Sequence, residues 1–245
     1  LAKVHRQAEK SGILMDANKI RDGIDPINIK DLRIVSGENK DMIYQFRTNQ
    51  EGLREIAIKS YLNAIDKFGL DNVVIIAPRK DKCCNSTKNI NEIIQNALID
   101  YNEPTVKYGD NEFRLGAKVI QRENDYQRNV FNGEIGYITD IDDKSNIIVD
   151  FDNHKVPYTK KELSQIQLAY AMTVHLSQGS GYDCVICIID RTSNILLDNC
   201  LLYTALTRAK KKCMLLTEPS AYDKAIRTNH TTSRQTWLSL QGGDI

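Results

Sequence analysis

Residues 169–217 constrain this 245-residue chain more than any other stretch: AYAMTVHLSQGSGYDCVICIIDRTSNILLDNCLLYTALTRAKKKCMLLT. Two apolar runs, 169–174 and 184–189, read as buried strands. Between them, residues 175–183 have no apolar period but hold Gly179, Ser180 and Gly181, the mark of a loop whose backbone must approach something closely. From Leu202 the apolar residues Leu202, Ala205, Leu206 and Ala209 form one helical stripe, and Thr204, Thr207, Arg208 and Lys211 form the opposite one. A further strand is expected over 213–216. Strand, glycine loop, strand and an Arg-bearing helix describe an α/β protein that handles an anion at its sheet edge.

The rest of the chain extends that pattern. Ser11 is placed to cap a helix through Ile13, Ala17 and Ile20 that stops at Gly23. Residues 24–50 are polar, with one short strand expected at 32–35. A long apolar stripe from Leu53 to Phe68 predicts a helix ended by Gly69. The β-branched run 73–77 predicts a buried strand, Pro78 stops it, and an exposed polar loop leads to a helix through Ile90, Ile94 and Leu98 that opens near Ser86 or Thr87. Such alternation implies a mostly parallel sheet. The character changes near residue 113, where short alternating segments and the turn dipeptide Asn132-Gly133 predict a small antiparallel barrel. The tail from 219 is expected to hold a packing helix with the single Trp, Trp237.

Composition excludes little. Apolar content is 41%, charge 27% and net charge +1, so no global basic field announces nucleic acid, although a local groove would suffice. No apolar run approaches the roughly 20 residues of a spanning helix. The six Cys show no disulfide-scaffold spacing. Cys184 and Cys187 lie three apart in a strand and point to opposite faces, so no metal site is expected.

AMTVHLSQGSGYD (171–183) resembles motif V of superfamily 1 helicases, and LLYTALTRAKKKCMLL (201–216) resembles motif VI. Their wording is most similar to RecD-like helicases, the 5′-to-3′ branch that includes the exodeoxyribonuclease V alpha subunit. GxKVxQxxNxY at 116–126 and FNGxxG at 131–136 are similar to the SH3-like barrel those proteins insert into their second RecA-like domain. The resemblance implies an α/β fold: a RecA-like parallel-sheet domain split into 1–112 and 167–245 around an inserted SH3-like antiparallel β-barrel, 113–166.

It also implies functional residues. Arg208 stands at the arginine-finger position, and Arg6 with Gln7 resembles motif IV, whose Arg reaches the terminal phosphate. Arg suits that role because its charge persists at any relevant pH and its fork spans two oxygens. Gln178 and the Gly179 amide are expected to sense the triphosphate. Thr173, His175 and Ser177 are expected to face the nucleic-acid backbone, as are Arg79, Lys80, Asn91 and Asn132, with Asn124 and Tyr126 as further polar or stacking contacts. Two positions depart from the family: Leu176 stands where Lys is common, and Gly181 where Glu is.

A P-loop requires Gly-x-x-x-x-Gly-Lys-Ser/Thr, and no Lys-Ser or Lys-Thr pair of the sequence, Lys59-Ser60 and Lys144-Ser145 included, follows a Gly. ATP and Mg2+ are therefore expected to be shared with an N-terminal P-loop domain of a longer protein, and this piece is expected not to hydrolyse ATP alone. Implied partners are single-stranded DNA, that P-loop domain and other subunits of an exonuclease complex, in the cytoplasm and without a membrane. Two alternatives stay open: a single-stranded nucleic-acid-binding module that works without hydrolysis, and a protein-interaction module, to which Leu176 and Gly181 point.

Overall fold

The computed structural model describes residues 10–29 and 31–229, so the expectations for Arg6, Gln7 and Trp237 lie outside the described residues. Its larger sheet has six strands in the order β1 (Arg33–Ser36), β2 (Met42–Phe46), β13 (Ala209–Thr217), β12 (Tyr182–Ile189), β3 (Val73–Ala77) and β11 (Ala171–Thr173). All neighbours are parallel except the β1–β2 pair at one edge. Side chains alternate between two cores. Val73, Ile75, Cys184, Ile186 and Ile188 enter one; Val74, Ile76, Val185, Cys187 and Ile189 enter the other. A strand buried on both faces must be apolar throughout, which is why these runs are nearly continuous.

Helices cover both faces. Leu53, Ala57 and Tyr61 of α2 (Gln50–Phe68) and Ile90 and Ile94 of α3 (Thr87–Leu98) close the first core. The second is closed by α1 (Gly12–Arg21), α4 (Asn199–Leu206) and α5 (Pro219–Arg227). The caps follow the sequence: Asn49 Oδ1 accepts from Gly52 N at 2.8 Å, and Ser86 Oγ from Asn89 N at 3.3 Å. Ser11 does not cap α1 in this way. Its hydroxyl donates to Asp41, whose other oxygen takes the Gly12 N–H at 2.8 Å.

A second sheet of five antiparallel strands has the order β10 (Ile166–Leu168), β6 (Lys118–Gln121), β7 (Ile135–Ile141), β8 (Ile147–Phe151) and β9 (His154–Tyr158). Its Val119, Ile138, Val149 and Val156 join the first core, so it packs on the α2–α3 side of the parallel sheet. The buried Lys118 belongs to this contact. Its Nζ donates to the Leu70 carbonyl at 2.7 Å, and burial pushes its pKa down to about 8.

Several expectations are corrected. The run 169–174 is not one strand: β10 ends at Leu168 in the antiparallel sheet, and β11 begins at Ala171 in the parallel one. Strand β2 and the hairpin of β4 (Thr105–Tyr108) with β5 (Asn111–Arg114) add to the elements that the sequence announces. The helical stripe from Leu202 ends at Leu206, because Ala209 already pairs with Tyr182 in β13. Arg208 therefore sits in the turn between helix and strand, and Lys211 lies on β13 rather than beside it on a helix.

Candidate nucleic-acid interface

In a parallel sheet the carboxyl ends of the strands share one edge, where ligands of open α/β folds gather. Two loops leave that edge side by side, because Thr173 pairs with Ala77. The loop after β3 is held by Thr87 N–H on the Arg79 carbonyl at 2.9 Å and Lys88 N–H on the Lys80 carbonyl at 3.1 Å, which leaves the Lys80 side chain in solvent.

The loop after β11 is a compact turn. Ser177 N–H bonds the Thr173 carbonyl at 3.1 Å, Gln178 N–H the His175 carbonyl at 3.2 Å, and Ser180 N–H the Ser177 carbonyl at 3.2 Å. Gly179 has φ +84°, a left-handed conformation that favours Gly. Thr173 Oγ1 accepts from Leu176 N at 3.3 Å, which leaves its own O–H free to donate.

The antiparallel sheet supplies the facing wall. Asn132-Gly133 forms the expected turn, closed by Glu134 N–H on the Phe131 carbonyl at 3.1 Å. Asn124 Oδ1 takes the Asn132 N–H at 2.9 Å, and Gly133 N–H bonds the Gln121 carbonyl at 2.9 Å. A cleft of about 390 Å3 opens between the walls, lined by Lys80, Asn132, Thr173, His175 and Gln178. Four residues expected to meet nucleic acid, from three separate stretches, thus meet in one place, together with Gln178, expected at the triphosphate. Arg122 and Gln167, not foreseen, also line it, as does Leu176, whose side chain leans on the second core. The only sequence signal for Arg122 is a cation at a strand end, next to Gln121.

Other expected residues lie outside the cleft, and two of them are engaged within the protein. Asn91 is buried at 6% exposure; its Nδ2 donates to the carbonyls of Leu168 (3.2 Å) and Ala171 (2.9 Å), and its Oδ1 accepts from Ala171 N at 2.7 Å. It pins the corner where the chain passes from one sheet to the other, which corrects its reading as a DNA contact. Ser177 is likewise corrected: it is fully buried, and its hydroxyl donates to the Val174 carbonyl at 2.8 Å. Arg79 is half-buried on the Lys80 loop and does not line the cleft. Tyr126 is exposed and stands edge-on to Phe131 at 6.0 Å, on the antiparallel sheet beside Asn132.

Arg208 lies at the far end of the same turn. Thr173 is level with Ala77 and Cys184 with Val73, so residues 174–181 run from the carboxyl edge of the sheet back to its amino edge. There Tyr182 N–H bonds the Arg208 carbonyl at 2.9 Å. The Arg208 guanidinium donates through Nε to the Thr204 carbonyl at 3.1 Å and through Nη1 to the Ser180 carbonyl at 3.3 Å. Its Nη2 makes no hydrogen bond among the described residues. At Gly181 an added Cβ would approach Lys210 Cε at 2.8 Å, so the glycine accommodates a flexible Lys rather than a backbone constraint.

Burial raises the Cys184 thiol to about 11 and the Cys187 thiol to about 12, and the two enter opposite cores. Among the described residues no three His, Cys, Asp or Glu gather as metal ligands, and no helix is long and apolar enough to cross a membrane.

Comparison with known proteins matches two stretches of the chain. Residues 90–151 match the family described as the SH3 domain of ATP-dependent RecD-like DNA helicases, and residues 168–216 match the UvrD-like helicase C-terminal domain. The chain is 29% identical over 225 residues to the ATP-dependent RecD2 DNA helicase of Deinococcus radiodurans, covering 92% of this chain and 29% of that protein. It is 29% identical over 129 residues to the RecBCD enzyme subunit RecD of Haemophilus influenzae, covering 53% of this chain and 19% of that protein. A Bacteroides Pif1 helicase solved with ADP-AlF3 and ssDNA superposes with a TM-score of 0.49 at 19% identity, over 81% of this chain and 56% of that one. The chain thus spans under a third of these curated relatives.

Proposed function

We propose, for a chain that carries the C-terminal part of a RecD-like superfamily 1 helicase, that it serves as the second half of an ATP-dependent, 5′-to-3′ DNA motor. In this reading residues 1–112 and 167–245 form the motor domain, and 113–166 form the inserted SH3-like unit. A single strand of DNA lies in the cleft, where the Thr173 hydroxyl, the Asn132 amide, His175 and Lys80 meet its backbone without base preference, beside Gln178, which couples the cleft to the nucleotide.

The nucleotide would sit against a separate P-loop domain. Arg208, and Arg6 with Gln7, would face its phosphates, while hydrolysis supplies the free energy for stepping. The donor set at Arg208 fits such a role in part: two of its nitrogens are anchored on carbonyls, which orients the guanidinium, and Nη2 is left for an oxygen brought from outside. In this reading Mg2+ would be held with the nucleotide by the P-loop domain. The 245 residues alone would not hydrolyse ATP.

The observation that carries this reading is the turn 174–181, whose His175, Leu176 and Gln178 line the cleft and whose Ser180 carbonyl accepts from Arg208. A change at one end would pass to the other through the hydrogen bonds of this turn. The test is to separate basal from DNA-stimulated ATP hydrolysis in the full-length protein. Thr173→Val and Gln178→Ala should keep the basal rate and lose most of the stimulation by single strands. Unchanged stimulation in both would sink the coupling role.

A second reading draws on the same bonds. If Arg208 serves only to tie helix α4 to the turn, the chain is a nucleic-acid-binding module that works without hydrolysis. Single-strand binding that survives Arg208→Ala, in a full-length protein without DNA-stimulated hydrolysis, would favour it.

A further inference from the structure

The cleft adjoins a second cavity, and the two linings differ in charge. Lys80, Arg122 and Gln167 line both the cleft and a neighbouring cavity of about 280 Å3, so the two spaces adjoin at these residues. Their linings differ in sign. No carboxylate lines the cleft. The neighbouring cavity carries four, Asp81, Glu92, Asp110 and Glu112, against the two shared cations and Lys88. Lys88 is itself engaged by Asp110 at 3.3 Å. Glu112 is likewise held by Arg114 at 2.9 Å. A phosphate chain that entered that cavity would still meet Asp81 and Glu92, which pair with no cation among the described residues, at close range, where like charges repel.

Arg122 is anchored for a different task. Its Nη1 donates to the Ser164 carbonyl at 3.0 Å and its N–H to the Gln165 carbonyl at 2.7 Å, both from the segment before β10. Among the described residues neither Arg122 nor Lys80 pairs with a carboxylate. One cation comes from the loop after β3, the other from the end of β6 in the antiparallel sheet.

We propose that Lys80 and Arg122 form a phosphate clamp across the mouth of the cleft, gripping the backbone of single-stranded nucleic acid and turning it away from the acidic cavity. Arg122 is thereby a binding residue, and the antiparallel sheet contributes charge as well as shape. This inference rests on the reading of the cleft as the DNA path.

The test is equilibrium binding of a fluorescein-labelled oligothymidylate to the full-length protein without nucleotide, across a range of NaCl concentrations. Removing one cation–phosphate pair lowers the slope of log K against log salt by about 0.7 for single strands. Arg122→Gln should lower the slope by about that amount, and Arg122→Lys should keep it. Gln167→Glu, which sets a carboxylate in the cleft, should weaken binding in the same assay and decides the matter if Arg122→Gln fails to fold. Wild-type affinity and slope in both Arg122→Gln and Gln167→Glu would overturn the clamp while leaving the DNA path intact. Absence of salt-dependent binding by the wild-type protein would instead remove the DNA path itself, and the clamp with it.

Discussion

Arg208 holds Ser180: its Nη1 lies 3.3 Å from the Ser180 carbonyl oxygen, 28 residues earlier in the chain. Its Nε takes the Thr204 carbonyl in the last turn of α4, where a cation is favoured by the helix dipole. One side chain therefore joins the helix of the Arg-bearing motif to the end of the turn whose beginning lines the cleft.

The turn depends on Gly179. At φ +84° a side chain is disfavoured by about 1–2 kcal/mol, and more for a β-branched one. Nothing lies within 4 Å of a Cβ built there, so the cost is conformational and not steric. Gly179→Val should leave the folded protein intact by circular dichroism but shift the turn, reducing DNA stimulation of hydrolysis. Gly179→Asn, which tolerates this region better, should retain more of it.

Asn91 should act on stability and not on affinity. Asn91→Leu strands two carbonyls and one N–H in the interior, each at about 1–3 kcal/mol. A large drop in the urea midpoint is expected, with unchanged single-strand affinity in whatever protein remains folded. Weakened binding at native stability would restore Asn91 as a contact.

Lys118 gives a pH signature. Its folded pKa of about 8 lies below the ordinary 10.5, so between these values the unfolded chain holds a proton that the folded chain has released. Stability from this group therefore rises as pH increases from about 8, by at most a few kcal/mol. Lys118→Met should abolish that rise, seen as a smaller gain in urea midpoint between about pH 7.5 and 9.5 than in wild type. Equal gains in both proteins would show that Lys118 is not the source.

Much of this was legible in the chain. Strands β3 and β12 announced themselves because burial on both faces demands unbroken apolar runs, and α2 and α3 because one face of each is buried. Four residues of the cleft, Lys80, Asn132, Thr173 and His175, were legible one by one, although nothing local says that three loops converge or that Gln178 joins them. The misses share one cause. Helix α4 has no Gly or Pro to stop its stripe; what stops it is the pairing of Ala209 with Tyr182, a contact between distant positions. Asn91 is a polar residue on an apolar helix, and only the tertiary corner at Leu168 and Ala171 explains it. Strand β2 is short, lies between polar segments, and is held by β13 from the far end of the chain.

Whether this chain completes a nucleotide site with Arg208 is decided by ATP hydrolysis in the full-length protein, followed with and without single-stranded DNA for wild type and Arg208→Ala. DNA-stimulated hydrolysis should fall by about 10³-fold or more in the variant, the loss expected when an arginine finger is removed, with folding and single-strand affinity retained. Hydrolysis within a few-fold of wild type would contradict the finger role and leave Arg208 as the tie between α4 and the turn.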